Sequence, residues 1–87
     1  MEANEVMNEL RDFIRVQFKI PANDQDFNDD VHLFDYGYVD SFGAVDLTTF
    51  VKNKFAVEIT ESDLIAFPLN TVKEIAVFVV KRKKGMI

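Results

Sequence analysis

Val6, Leu10, Phe13, Ile14 and Phe18 recur at the three- and four-residue spacing of one helical face, while Glu5, Glu9, Arg11, Asp12 and Arg15 fill the other faces. The pattern predicts an amphipathic helix from Asn4 to Lys19, stopped by Pro21. From Ala22 to Asp40 the periodicity disappears. Asn, Asp and Gly37 supply turn chemistry there, so a long loop is expected. Phe27, Val31, Leu33, Phe34, Tyr36 and Tyr38 are its expected anchors to the core. A loop this long in a small domain is often functional.

A second helix is predicted from Asp40, which can cap it, to Lys54. Thr60-x-x-Asp63 resembles a capping box and opens a short third helix that Pro68 limits. Thr71-Val72-Lys73-Glu74 is a regular capping box. It opens a last helix to Lys84, with bases in the final turn and Gly85 just beyond. The run Ala76-Val77-Phe78-Val79-Val80 would also suit a buried strand, but the caps at both ends favour helix. The expected fold is all-α: a small four-helix bundle with three longer helices, one short one and a long first loop.

With 87 residues, there is room for one domain, residues 1–87, whose basic end 81–87 is expected to fray. Hydrophobic residues at 48% and charged residues at 29% describe a globular chain. The absence of Cys excludes disulfides, iron–sulfur clusters and thiolate zinc sites, so packing alone must hold the core. No apolar run is long enough to span a membrane, and the N-terminus lacks the basic start of a signal peptide. A cytoplasmic monomer is the expectation.

The net charge of −5 argues against a nucleic-acid binder. The charge is also uneven. Between Pro21 and Asn70 ten acids face two lysines, a balance of −8, whereas Lys81-Arg82-Lys83-Lys84 carries +4. A charged partner of the middle of the chain would be basic. The basic end complements the dipole of the last helix.

On a helical wheel, Ala44, Leu47, Phe50, Val51 and Phe55 gather on one broad apolar face of the second helix. Phe42 and Val45 point to the opposite side, close to Ser41 in the first turn. Ser41 by itself reads as an ordinary helix-starting residue, with Phe42 packed on the loop. A serine at a helix start is also well placed for an attached phosphate, because first-turn N–H groups and the dipole favour negative charge. An apolar rim around it suits a partner surface.

The segment Leu33-Phe34-Asp35-Tyr36-Gly37-Tyr38-Val39-Asp40-Ser41-Phe42-Gly43-Ala44-Val45 resembles the phosphopantetheine attachment segment of acyl carrier proteins. Phe55-x-Val57-x-Ile59, followed by Asp63-Leu64, is similar to that family's approach to its short third helix. The resemblance implies that a phosphopantetheinyl transferase attaches 4′-phosphopantetheine to Ser41, beside Asp40 and Phe42. The protein would then carry acyl or aminoacyl groups as thioesters between loading and processing enzymes. Phe42, Val45, Asp46, Thr49, Glu58 and Asp63 would meet those partners. Such a chain is a carrier, not an enzyme. In agreement, His32 is the only His, no Ser-His-Asp set surrounds it, and Val39-Asp40-Ser41-Phe42-Gly43 is not a nucleophile elbow.

One departure from the family concerns charge. After Ser41 the second helix holds only Asp46 among acids, against Lys52 and Lys54. That points away from fatty-acid synthase partners and towards a specialised carrier of aminoacyl, D-alanyl, polyketide-like or special lipid groups. The Asp-Ser-Phe-Gly version is similar to D-alanyl carriers. Two other readings remain open. Asp24-x-Asp26-x-Asn28 with Asp35 partly fits a calcium loop, although Asp29 stands where that loop needs Gly. A helical adaptor using Phe42 and Val45 would carry no modification at all.

Overall fold

The apolar face of the first helix closes on the last. A computed structural model describes residues 1–87 as four helices without strands. These are α1 (Ala3–Gln17), α2 (Ser41–Phe55), α3 (Glu61–Ala66) and α4 (Val72–Lys83). Val6, Leu10 and Ile14 of α1 are completely buried, as are Val72, Ala76 and Val79 of α4, and the two helices pack on each other. Each Val, Leu or Ile buried in this way contributes about 1.5–3 kcal/mol. The run at residues 76–80 is therefore helical, and the boxes at its start hold it so. Thr71 accepts from the Glu74 N–H at 3.0 Å, and Glu74 accepts from the N–H groups of Asn70 and Thr71.

The wheel of α2 is borne out. Leu47, Val51 and Phe55 are buried, Ala44 and Phe50 half-buried, and Phe42 and Val45 exposed. α1 ends at Gln17, two residues short of Lys19. Lys19 adopts φ 56°, and the Ile20 N–H reaches back to the Arg15 carbonyl at 2.9 Å. That left-handed closure ends α1 before Pro21 is reached.

The long loop is tied down by hydrogen bonds. The Leu33 N–H donates to the Asn70 carbonyl at 2.9 Å, and the Lys73 N–H donates to the Asp29 carbonyl at 3.1 Å. The second bond satisfies a first-turn N–H of α4 that has no partner within the helix. Arg11 of α1 holds the Asp29 carboxylate at 2.6 Å. Phe27 and Leu33 anchor the loop in the core as expected, and Val31, Phe34 and Tyr38 are half-buried. Tyr36 is no anchor: it is 55% exposed and stacks on Tyr38 with ring centroids 5.1 Å apart. Val39, not among the expected anchors, is buried in its place.

The basic end closes α4 with a turn. Gly85 at φ 74° lets its own N–H meet the Arg82 carbonyl and the Met86 N–H meet the Lys81 carbonyl, a Schellman closure. No helix is long and apolar enough to cross a membrane.

Candidate functional site

Ser41 is the first residue of α2, and it is exposed. Its position follows from three local choices in the sequence. Gly37, at φ 87°, takes the left-handed turn that any other residue would resist. Val39 then returns its N–H to the Leu33 carbonyl at 3.0 Å and sinks into the core. Asp40 follows in an extended conformation, and its Oδ1 accepts from the Gly43 N–H at 2.8 Å. This cap starts the helix with Ser41 in the first turn, where the dipole is positive.

The surroundings of Ser41 are apolar. Phe42 is 84% exposed and Val45 63%. Between α2 and α3 a cleft of about 250 Å³ runs inward from Ser41, lined mainly by Phe34, Val45, Leu47, Ile59, Leu64 and Ile75. Its only hydroxyls belong to Ser41 and Thr48, and the Thr48 hydroxyl donates to the Val45 carbonyl at 3.0 Å.

The expected site residues do not all gather here. Asp46 and Thr49 are exposed but turn towards the end of α1, where the Gln17 amide donates to Asp46 at 3.3 Å. Glu58 is exposed in the connection from α2 to α3. Asp63 departs from its expected place on the partner surface. It is only 7% exposed, and its carboxylate is engaged by Thr60 and by Arg82 at 2.8 Å. The Thr60 backbone N–H first, and Arg82 with it, hold the Asp63 carboxyl below its ordinary range.

Leu64 and Ile65 were missed by the sequence reading. They are 54% and 88% exposed on α3, and Leu64 forms a wall of the cleft. A signal for them does exist in the sequence. Once the Thr60–Asp63 box turns Asp63 inward, the next two residues rotate outward by about 100° each.

The acids of the loop make local bonds. Asp24 accepts from the Asp26 N–H and from the Tyr38 hydroxyl, both at 2.9 Å, and Asn28 accepts from the Asp30 N–H at 2.8 Å. Nowhere do three or more His, Asp or Glu side chains converge in a way that could hold a metal ion. Partial burial, then the Asp24 hydrogen bond and charge, push the Tyr38 phenol up to about 12.

Comparison with known proteins bears on the whole chain. No curated protein sequence matches it. A family profile described as a phosphopantetheine attachment site does match, over residues 4–79, which takes in every element from α1 to most of α4. The chain belongs to the phosphopantetheine attachment-site family, the acyl-carrier type of protein that bears a covalently attached 4′-phosphopantetheine.

Proposed function

We propose that Ser41 is the residue to which the arm is attached. What carries this reading is an exposed hydroxyl in the first turn of a capped helix, ringed by solvent-facing Phe42 and Val45. The residues present suit the group. The serine oxygen is open to a transferase, the helix start favours the phosphate, and Asp40 holds that turn through Gly43. When attached, the arm supplies a terminal thiol that holds an acyl or aminoacyl group as a thioester. Ser41 needs no activation by this chain, because a transferase brings its own base.

Phe42 and Val45, with Leu64 across the cleft and Ile65 next to it on α3, form the apolar face that partner enzymes meet; Glu58 is at its polar margin, and Asp46 and Thr49 extend that margin on the side of α1. Asp63 is left out of that surface because Thr60 and Arg82 occupy its carboxylate. The cargo is a specialised acyl or aminoacyl group, a reading supported by an α2 with one acid and two lysines after Ser41. The cleft beside Ser41 suits a short apolar chain. The carrier works in the cytoplasm as a monomer.

The test is intact mass after incubation with coenzyme A and a broad-specificity transferase. The parent chain gains one phosphopantetheine unit and Ser41→Ala, equally folded, gains none. An alanine variant that is still loaded refutes the assignment. A screen of acyl and aminoacyl donors on the loaded protein then identifies the cargo class.

A further inference from the structure

Two phenylalanines at the C-terminal end of α1, Phe13 and the C-cap Phe18, grip α2 at two levels on one face. Lower down, Phe13 stacks on Phe50 with ring centroids 4.1 Å apart. Higher up, Phe18, braced edge-on by Phe13 at 6.3 Å, lies against Gly43. Gly43 and Phe50 are seven residues apart, two turns of helix, so they face the same way. The Gln17 amide adds a bond to Asp46, one turn beyond Gly43.

Gly43 is buried, and a side chain there would displace a neighbour. An added Cβ would lie 2.6 Å from Phe18 Cε1, 3.1 Å from its Cζ and 3.1 Å from Val39 Cγ1. Val39 is a core residue, and the half-buried Phe18 ring has Phe13 edge-on behind it, so both neighbours are backed by other side chains.

We infer that Phe18 and Gly43 form a positioning clasp that sets the rotation of α2 about its axis, and so decides that Ser41, Phe42 and Val45 face outward. The inference rests on Ser41 being the attachment residue. Its geometry is simple. Phe42 and Val45 each precede by one residue a position that faces the end of α1, namely Gly43 and Asp46. One residue is about 100° of rotation. With the clasp closed, the two apolar side chains are turned to solvent. With the Phe18 ring held in place by Phe13, a methyl group at position 43 pushes the first turn of α2 outward by on the order of 1 Å to restore ordinary carbon–carbon contact. Ser41 moves with that turn, and misplacement on this scale lowers group-transfer rates by up to about 100-fold.

The experiment compares transferase loading of five purified chains by intact mass, well below their melting temperatures. These are the parent, Ser41→Ala, Gly43→Ala, the double variant Phe18→Leu/Gly43→Ala, and Val79→Ala. The last makes a cavity at a fully buried core position on α4, and so controls for lost stability. Gly43→Ala is expected to load with kcat/KM about tenfold or more below the parent. The double variant removes the ring atoms that the methyl meets, and is expected to recover most of that loss. Val79→Ala melts lower yet loads like the parent.

Parent-like loading of Gly43→Ala overturns the clasp, as does a double variant that loads no better than the single one. A loss in Val79→Ala equal to that in Gly43→Ala also overturns it. If Gly43→Ala does not fold, a double variant that folds and loads supports the clasp, and one that folds but does not load overturns it. Loading of Ser41→Ala is a distinct failure, which removes the attachment site and the clasp's role together.

Discussion

Arg82 Nη2 stands 2.8 Å from Asp63 Oδ1 and joins the end of α4 to the first turn of α3. The other oxygen of the carboxylate accepts from the N–H and the hydroxyl of Thr60, both at 3.0 Å. The Arg82 guanidinium lies 4.8 Å above the Phe78 ring, and its Nε has no acceptor. Asp63 thus completes a helix cap and neutralises a cation that is already short of partners. Asp63→Ala removes both functions and leaves Arg82 partly buried and unpaired. A loss of about 2–4 kcal/mol is expected in urea unfolding. A loss below about 0.5 kcal/mol, typical of a surface site, would show that the pair contributes nothing.

The same carboxylate predicts an acid response. Its folded-state value lies below the ordinary 3.8, so the folded protein binds this proton less readily than the unfolded chain does. The stabilisation is present in full above 3.8 and is lost as pH falls through the lowered folded-state value. Between pH 6 and pH 3, the melting temperature of the parent should fall more steeply than that of Asp63→Asn. Parallel curves would contradict the assigned shift.

At the alkaline end Tyr38 behaves in the opposite sense. Its phenol is raised to about 12 and donates to Asp24 at 2.9 Å, so the neutral form belongs to the folded state. The stability it provides is intact below 10 and is lost as pH rises towards about 12. Tyr38→Phe keeps the edge contact with Phe27 but loses the bond, so it should lower the melting temperature slightly near neutrality. Ultraviolet titration of the phenolates should show the late-titrating group disappear in that variant.

Phe42 and Val45 separate function from stability. Both side chains face water, so Phe42→Ala and Val45→Ala should change unfolding free energy by no more than about 0.5 kcal/mol. Turnover of the loaded protein by its processing enzymes should fall in both. A large drop in melting temperature with normal turnover would mean that this face belongs to the core.

The helices were legible because their signals are local. Asp40, Thr60 and Thr71 each accept from the backbone N–H three residues on, as their spacing in the sequence anticipates. Leu47, Val51 and Phe55 are buried where the wheel puts them. Loop anchors were less legible. Tyr36, Tyr38 and Val39 are all apolar enough to anchor, and nothing local says which one turns inward. Gly37 and the Val39–Leu33 hydrogen bond decide it, burying Val39 and leaving Tyr36 against Tyr38 in solvent.

Local patterns along the chain are enough to place four helices, three of them opened by the caps Asp40, Thr60 and Thr71, and to put a serine at the start of the second beside two apolar residues that point away from its core face. Periodicity and capping act within a few residues, so they can be read along the chain. The packing of the helices settles the rest: Asp63 turns inward to Arg82, nineteen residues away, Leu64 walls a cleft against Ser41, and Phe18 lies where a side chain at position 43 would go. Those outcomes depend on how distant helices meet, and close packing sets that for the whole molecule at once.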